Sequence, residues 1–479
     1  MSSIAPQDAT MYWLSRRTHN DLFLLYCFAD SGRPAAELRA LVAGRSAHIP
    51  DLRLRLREVP ADLDYPSWIP CDFAAEQFME HLPPESNWPT VLKVLGKLLG
   101  TVLDATVRPW RLHLFRDVIG VPGRLPDAGP ATVVVLQMSH ALADGRRAAQ
   151  IARALFSESV ATDQERAGST PRMPLRRWAP AGSVLLDSAR TAAVLGLLRT
   201  PIQVLRTAVR GYHAYRSQQE LAELTATGQV PAPGPGFTPS LVNPATEVGD
   251  SDHRVRMIVC TPDQLRIPDR TVTVVVLTAI SLALTRYLES RGAQVDRLGA
   301  QVPMALPGVS TPRNNYRSLG VDLFVAEPDI RLRSRRIADA LGDRMARAGH
   351  PLLAAQDRVT AVVPAALLRR DIDRYPLDTV PDSIAGHTVV SSVHRGPADL
   401  TFGGGRVLFT AGFPALGSVM HLTHGVHGLS EDAEGRGATI TISIHADVAA
   451  LPDIDVYSDL LVAALREIAQ AHEVADEAG

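Results

Sequence analysis

Cysteine is scarce in this 479-residue chain: Cys27, Cys71 and Cys260 are the only three, far apart and in no paired spacing. That excludes a disulfide framework and a thiolate zinc cluster, and it fits a reducing compartment. Lysine is scarcer still. Lys93 and Lys97 are the only two, and the other cations are arginines, which points to genome composition and not to a binding surface. With a formal net charge of -2 there is no electrostatic case for a nucleic-acid partner. No run of about 18 uncharged apolar residues occurs, and the opening MSSIAPQDATMYWLSRR lacks the basic-then-apolar order of a signal peptide. The expectation is a cytoplasmic chain that does not span a membrane. Its hydrophobic share of 46% is ample for two cores.

What is present is organised around Ala131 to Gly145, ATVVVLQMSHALADG. Ala131 to Met138 is short, β-branched and almost wholly apolar, as expected of a strand buried on both faces. His140 then stands at the end of that strand. Asp144 and Gly145 come next, and Ala148, Ile151, Ala152 and Leu155 recur at helical spacing. Imidazole titrates near neutrality, so a histidine held there can take a proton from a hydroxyl and return it. Asp144 can cap the helix or pair with an arginine, and Gly145 permits a backbone angle closed to other residues. The same residues also read as a core histidine satisfied by a carbonyl, followed by a plain helix cap.

SHALADG resembles the HHxxxDG motif of acyltransferases with the chloramphenicol acetyltransferase-like fold, and within them the bacterial wax ester synthase/diacylglycerol acyltransferase family. Arg108-Pro109-Trp110-Arg111 approximates the family's PLW element, NNYRSLGVDLFV carries Asn315 before a strand, and ATITISIHADVAALPDIDVYSDLLVAALREI is similar to the closing strand and helix. The resemblance implies an α+β protein of two such domains, each a mixed sheet covered by helices. It also implies a histidine where the two meet, in a channel open at both faces. Ser139 stands where the family has histidine, and Thr273-Val274 where it has an Asn-Asp pair. A threonine hydroxyl replaces that amide only in part.

Along the chain, Asp21 to Ala29 reads as a strand, Arg33 to Arg45 as a helix, and HIPDLRLRLREV as a half-exposed strand. Cys71 to Arg116 reads as helical, with Leu92, Leu95, Leu98, Leu99, Val102 and Leu103 in one stripe, up to the strand that starts after Trp110. Residues 158–182 have no apolar period. Ser183 to Tyr215 reads as a helix interrupted at Pro201, with Arg199, Arg206 and Arg210 on one face. Such a helix lies in a membrane interface or packs on its own protein with the arginines in solvent. Val230 to Pro239, VPAPGPGFTP, reads as a linker. The expected division is an N-terminal acyltransferase domain at 1–175, a crossover and linker at 176–240, and a C-terminal domain at 241–479. Arg254 to Cys260 reads as a strand, and Thr271 to Arg291 as a region running into a long helix ended by Gly292. His421, His424 and His427 are spaced by three, which suits neither a strand face nor an i, i+4 metal site.

The resemblance implies direct transfer, with His140 as general base on a long-chain alcohol or diacylglycerol that attacks an acyl-CoA, without cofactor or metal. Ser139 beside its would-be base points to the opposite face and is a weak nucleophile. Thr273 and Asn315 are candidate oxyanion donors, Pro303 and Asn315 candidate tunnel residues, and Trp110 a packing residue near the site. Asp144 braces the turn, supported by Gly145. Two alternatives stay open: transfer to a glycolipid or polyketide hydroxyl on the same fold, and a non-catalytic lipid-binding paralogue. The expected placement is cytoplasmic, with a peripheral position on the membrane or on lipid droplets left open. The acceptor, the acyl chain length and the oligomeric state are not legible in the sequence.

Overall fold

The computed structural model describes residues 2–125, 129–157, 184–244, 252–306, 312–377 and 379–476. The stretch 158–182 and the Arg199 side chain lie outside these residues. The N-terminal half carries strands β1 (Ser2–Ser3), β2 (Leu22–Ala29), β3 (Leu54–Arg57), β4 (Ser67–Pro70), β5 (Phe78–Glu80), β6 (Trp110–Val118) and β7 (Ala131–Met138). Its helices are α1 (Pro6–Leu14), α2 (Ala35–Ser46), α3 (Trp88–Leu99) and α4 (Gly145–Phe156). The long α5 (Val184–Ala226) crosses over. The second half carries β8 (His253–Cys260), β9 (Gly299–Ala305), β10 (Tyr316–Asp322), β11 (Thr388–Pro397), β12 (Thr401–Phe402), β13 (Gly405–Phe413), β14 (Leu422–Ser430) and β15 (Thr439–Asp447). Its helices are α6 (Val272–Ser290), α7 (Ile330–Ala348), α8 (Ala354–Thr360), α9 (Ala365–Arg374) and α10 (Ile454–Asp476).

Two six-stranded mixed sheets form, in the orders β12-β13-β2-β7-β6-β5 and β10-β9-β11-β14-β15-β8, beside a small sheet β1-β4-β3. Each large sheet is flanked by helices, the tandem α+β arrangement that the motifs imply. β7 is buried at every position and lies between β2 and β6, which explains its unbroken apolar run. Val134, Leu136 and Met138 enter one core cluster, and Val133 and Val135 the other. Full burial of each such side chain contributes about 1.5–3 kcal/mol, so this strand is a rigid base for the His140 turn.

The division of the chain at 240 does not describe the sheets. β12 and β13 lie in the N-terminal sheet, where β13 pairs antiparallel with β2 from Phe413↔Phe23 to Val407↔Phe28. Val230 to Pro239 is no free spacer either. Phe237 is buried and exchanges backbone hydrogen bonds with Ile384, while Gly234 lies so close to the Gly320 carbonyl that a Cβ would sit 2.6 Å from it. The Pro/Gly run is a strap, pressed flat because its glycines allow backbone-to-backbone contact.

Two other expectations change. Only Trp88–Leu99 of the region 71–116 is α-helix, starting at an Asn87 cap with Pro89 in its first turn. Pro201 does not break α5, which runs through it. α6 is long and apolar enough to cross a membrane by composition, yet 72% of its apolar window is buried inside the protein, where it packs beside α10 in the second core.

Candidate active site

The site begins where β7 stops. Ser139 N–H donates to the Pro109 carbonyl at 2.8 Å, and Leu142 N–H closes a turn on the Ser139 carbonyl at 2.9 Å. Asp144 then caps α4, its Oδ1 accepting Arg147 N–H at 2.8 Å. Its other oxygen accepts the N–H of Asn315 at 3.2 Å, and its own N–H donates to the Arg313 carbonyl at 3.2 Å. The turn that holds His140 is therefore fastened to residues 313–315 of the second half.

A second carboxylate completes that fastening. Asp8 of α1, buried, accepts the backbone N–H groups of Arg313 and Asn314 at 3.0 and 2.9 Å and the Asn314 side-chain amide at 3.0 Å. The same amide donates to the His140 carbonyl at 2.8 Å. Burial raises the Asp8 carboxyl above its ordinary range, against the pull of these donors. Asp51 behaves oppositely. Its burial is outweighed by Arg147 and Arg313, whose guanidinium groups at 3.0 and 2.6 Å hold it low.

His140 is half-buried and lines a cavity of about 590 Å³ between the halves, together with Asp144, Gly145, Pro303, Tyr316 and Ser392 among others. Its Nδ1 is buried without a partner of full hydrogen-bonding geometry among the described residues, which leaves Nε2 as the edge toward the cavity. Burial lowers the imidazole pKa, more than its own carbonyl, Asn314 and Asp144 raise it. A neutral imidazole at physiological pH can accept a proton. The cavity shares Ser392, Val393 and His394 with a second one of about 740 Å³, lined also by Val426 and Gly428 to Asp432.

The residues named from sequence separate. His140, Asp144, Gly145 and Pro303 line the cavity. Gly145 is not there for its backbone angle, since it lies outside the left-handed region and an added Cβ would meet only Val393 at 3.6 Å. Asn315 faces away from proton chemistry, its side-chain amide donating to the Leu306 carbonyl at 3.3 Å. Thr273, in the first turn of α6, donates to the Ser392 hydroxyl at 3.0 Å and so acts on the cavity only through that serine. Trp110 is core, its indole N–H bonded to the Leu52 carbonyl at 2.9 Å. Ser139 is fully buried, and its hydroxyl has no partner among the described residues. Asp8, Asn314, Tyr316 and Ser392 escape a reading of the sequence. The doubled Asn314-Asn315 is the one visible signal for them.

His421, His424 and His427 are all buried in and beside β14. His424 lies between the Thr388 and Tyr457 hydroxyls at 2.9 Å each, and the ring of His427 is next to Arg395 and Gly412. Among the described residues no group of three or more histidine, cysteine or acidic side chains is arranged to hold a metal.

The wax ester synthase/diacylglycerol acyltransferase catalytic domain family matches residues 4–247. The chain belongs to this family. It is an acyltransferase-type enzyme, and its matched region contains the His140 turn. The chain is similar in fold to the wax ester synthase/diacylglycerol acyltransferase of Marinobacter aquaeolei VT8, with a TM-score of 0.60 at 16% identity over 98% of this chain and 100% of that one. It is also similar to a mutant starter condensation domain of rhizomide synthetase solved with C8-CoA and Leu-SNAC. There the TM-score is 0.54 at 14% identity, over 98% of this chain and 95% of that one. No curated protein matches the sequence.

Proposed function

We propose that the protein transfers an acyl group from acyl-CoA to the hydroxyl of a lipid acceptor, a diacylglycerol or a long-chain alcohol, by direct attack. The observation that carries this reading is His140 lining a cavity whose Ser392, Val393 and His394 also line a second one. One substrate can approach along each. His140 Nε2 takes the proton of the acceptor hydroxyl as its oxygen bonds to the thioester carbonyl carbon. The C–S bond then breaks, and the CoA thiolate takes the proton back. The low basicity that burial gives the imidazole keeps it ready for the first step.

The family's acyl-CoA donor suits the apolar character of the cavity near His140, where Leu14, Leu22, Val389 and Pro414 contribute. We place the protein at a membrane or lipid-droplet surface by way of α5. Its outward face carries Ile202, Leu205, Val209 and Tyr212, exposed by 54, 66, 49 and 61%, with Arg206 alongside. The test of the reaction is incubation of the purified chain with labelled palmitoyl-CoA and a panel of alcohols, diacylglycerols and glycolipids, with products identified. Ester and free CoA thiol should appear in equal amounts. His140→Ala should be folded and slower by on the order of 10² to 10⁴. A variant as fast as the parent sinks the general-base reading.

A further inference from the structure

The cavity around His140 has two unlike walls. On the β11 wall, Ser392, Val393 and His394 also line the second cavity, and the transfer reading brings the acyl-CoA thioester to the histidine on this side. β9, which pairs with β11 in the same sheet at Val389↔Gln301, and its neighbour β10 form the other wall, where Tyr316 pairs with Ala305 and Ser318 with Pro303. Side chains alternate along a strand, so Gln301, Pro303 and Ala305 share one face, as do Tyr316 and Ser318. All five line the cavity.

Three of them are polar, and they present donors. Ser318 donates its hydroxyl to the Gln301 Oε1 at 3.1 Å, which takes the amide's acceptor and leaves its NH₂ group for another molecule. Tyr316 lies with its ring centroid 6.1 Å from that of His140. Burial and the charge of Asp144 keep its phenol protonated. Neither the phenol nor the Gln301 NH₂ has a hydrogen-bond partner among the described residues. A simple alkanol offers one oxygen, which His140 uses, and would leave both donors unpaired in a partly desolvated wall.

Resting on the transfer reading above, we infer that Tyr316 and Gln301 are specificity-determining residues that donate to a carbonyl oxygen of the acceptor, close to its reacting hydroxyl. The acceptor class they select is a hydroxyl lipid that also carries an ester or amide carbonyl within a few bonds. An unadorned long-chain alcohol is the disfavoured class. A site built to donate to a substrate oxygen discriminates against the analogue that lacks it, because its own polar groups then stay unsatisfied.

The test compares dioctanoylglycerol with decanol. Initial rates with palmitoyl-CoA give the ratio of kcat/KM for the two acceptors, and titration calorimetry without acyl-CoA gives the ratio of their Kd values. The parent should favour dioctanoylglycerol in both ratios, and Tyr316→Phe and Gln301→Met should each lower that preference by about 10-fold. His140→Ala should lose transfer and keep the preference in Kd. A parent that takes decanol equally well, or variants that keep the full parental preference, overturn the inference. A binding preference lost in both variants, in a chain that transfers to no acceptor, supports the inference and defeats the transfer reading instead.

Discussion

The Asn314 side-chain amide donates to the His140 carbonyl oxygen at 2.8 Å and to Asp8 at 3.0 Å, so one residue of the second half ties the histidine turn to the first helix of the chain. No proton in the proposed reaction passes through this amide, so its effect is on position. Asn314→Ala would leave the His140 carbonyl without its side-chain donor, costing about 1–3 kcal/mol where it stays buried, while Asp8 would keep the two backbone N–H groups of residues 313 and 314. The expected result is a folded variant with a lower melting temperature and a kcat reduced about 10-fold or more, since a small displacement of a catalytic base is expensive. An unchanged kcat in a folded Asn314→Ala protein would show that the turn holds itself.

Buried histidines set the acid limit of the fold. Burial pushes His113 and His253 down to about 4 and His424 and His445 down to about 3. Unfolded histidine titrates near 6.5. Below that pH the unfolded chain binds protons that the fold refuses, so stability falls with pH by up to about 1.4 kcal/mol per unit for each histidine. The loss continues down to the folded values. Asp21 works the other way, because burial raises it to about 7 and the fold holds its proton through much of the same window. These four histidines outnumber Asp21 and Asp8, the two buried carboxyls among the described residues that burial raises, so acidification gives a net loss. The melting temperature should drop between pH 7 and pH 5, and drop more steeply in Asp21→Asn. A melting temperature that rises on acidification would mean that these rings are not held neutral.

The proposed membrane attachment through α5 is separable from the proposed catalysis. Replacing Ile202, Leu205, Val209 and Tyr212 together by serine should spare the fold, because all four are exposed, and should abolish co-sedimentation with vesicles of phosphatidylcholine and phosphatidylglycerol. Arg206→Gln alone should weaken binding by about 1 kcal/mol. Arg210 is a poorer choice, since its guanidinium donates to the Arg358 carbonyl at 2.9 Å. Unaltered sedimentation of the four-residue variant would remove α5 from the interface.

The legible parts of this protein are those where neighbours in sequence decide the outcome. β7 is readable to the residue because a strand buried on both faces needs an uninterrupted apolar run. Asp144 is readable as a cap because a cap acts within three residues. The illegible parts are pairings at long range. Nothing local in Gly405–Phe413 announces that it will join β2, nearly four hundred residues earlier, and nothing in Asp8 announces Asn314. The leucine stripe through 92–103 over-extends the helix because its apolar spacing runs on past Gly100, the C-terminal cap at which the helix stops. In the doubled asparagine, resemblance points to Asn315, while in the folded chain it is the side chain of Asn314 that touches the His140 turn.

Ser139 and Asp144 separate the proposed roles most sharply. Ser139 is buried with an unpaired hydroxyl and does not line the cavity, so removing that hydroxyl relieves an unsatisfied group. Ser139→Ala should keep most activity and lose no stability, with a gain of up to about 1 kcal/mol. Asp144 accepts two backbone N–H groups, one from its own helix and one from Asn315. An asparagine there still caps α4 with its single oxygen, but turns an NH₂ toward the Asn315 N–H, donor against donor. Asp144→Asn should therefore melt lower by the equivalent of about 1–3 kcal/mol. Its kcat should fall while KM changes little, because the His140 turn loses one of its ties to residues 313–315. The measurement is a matched set of melting curves and initial rates from acyl-CoA, with mass spectrometry of the enzyme during turnover. If Ser139→Ala is inactive and an acyl group is trapped on Ser139 of the parent, transfer runs through a covalent intermediate and His140 serves a nucleophile instead of the acceptor hydroxyl.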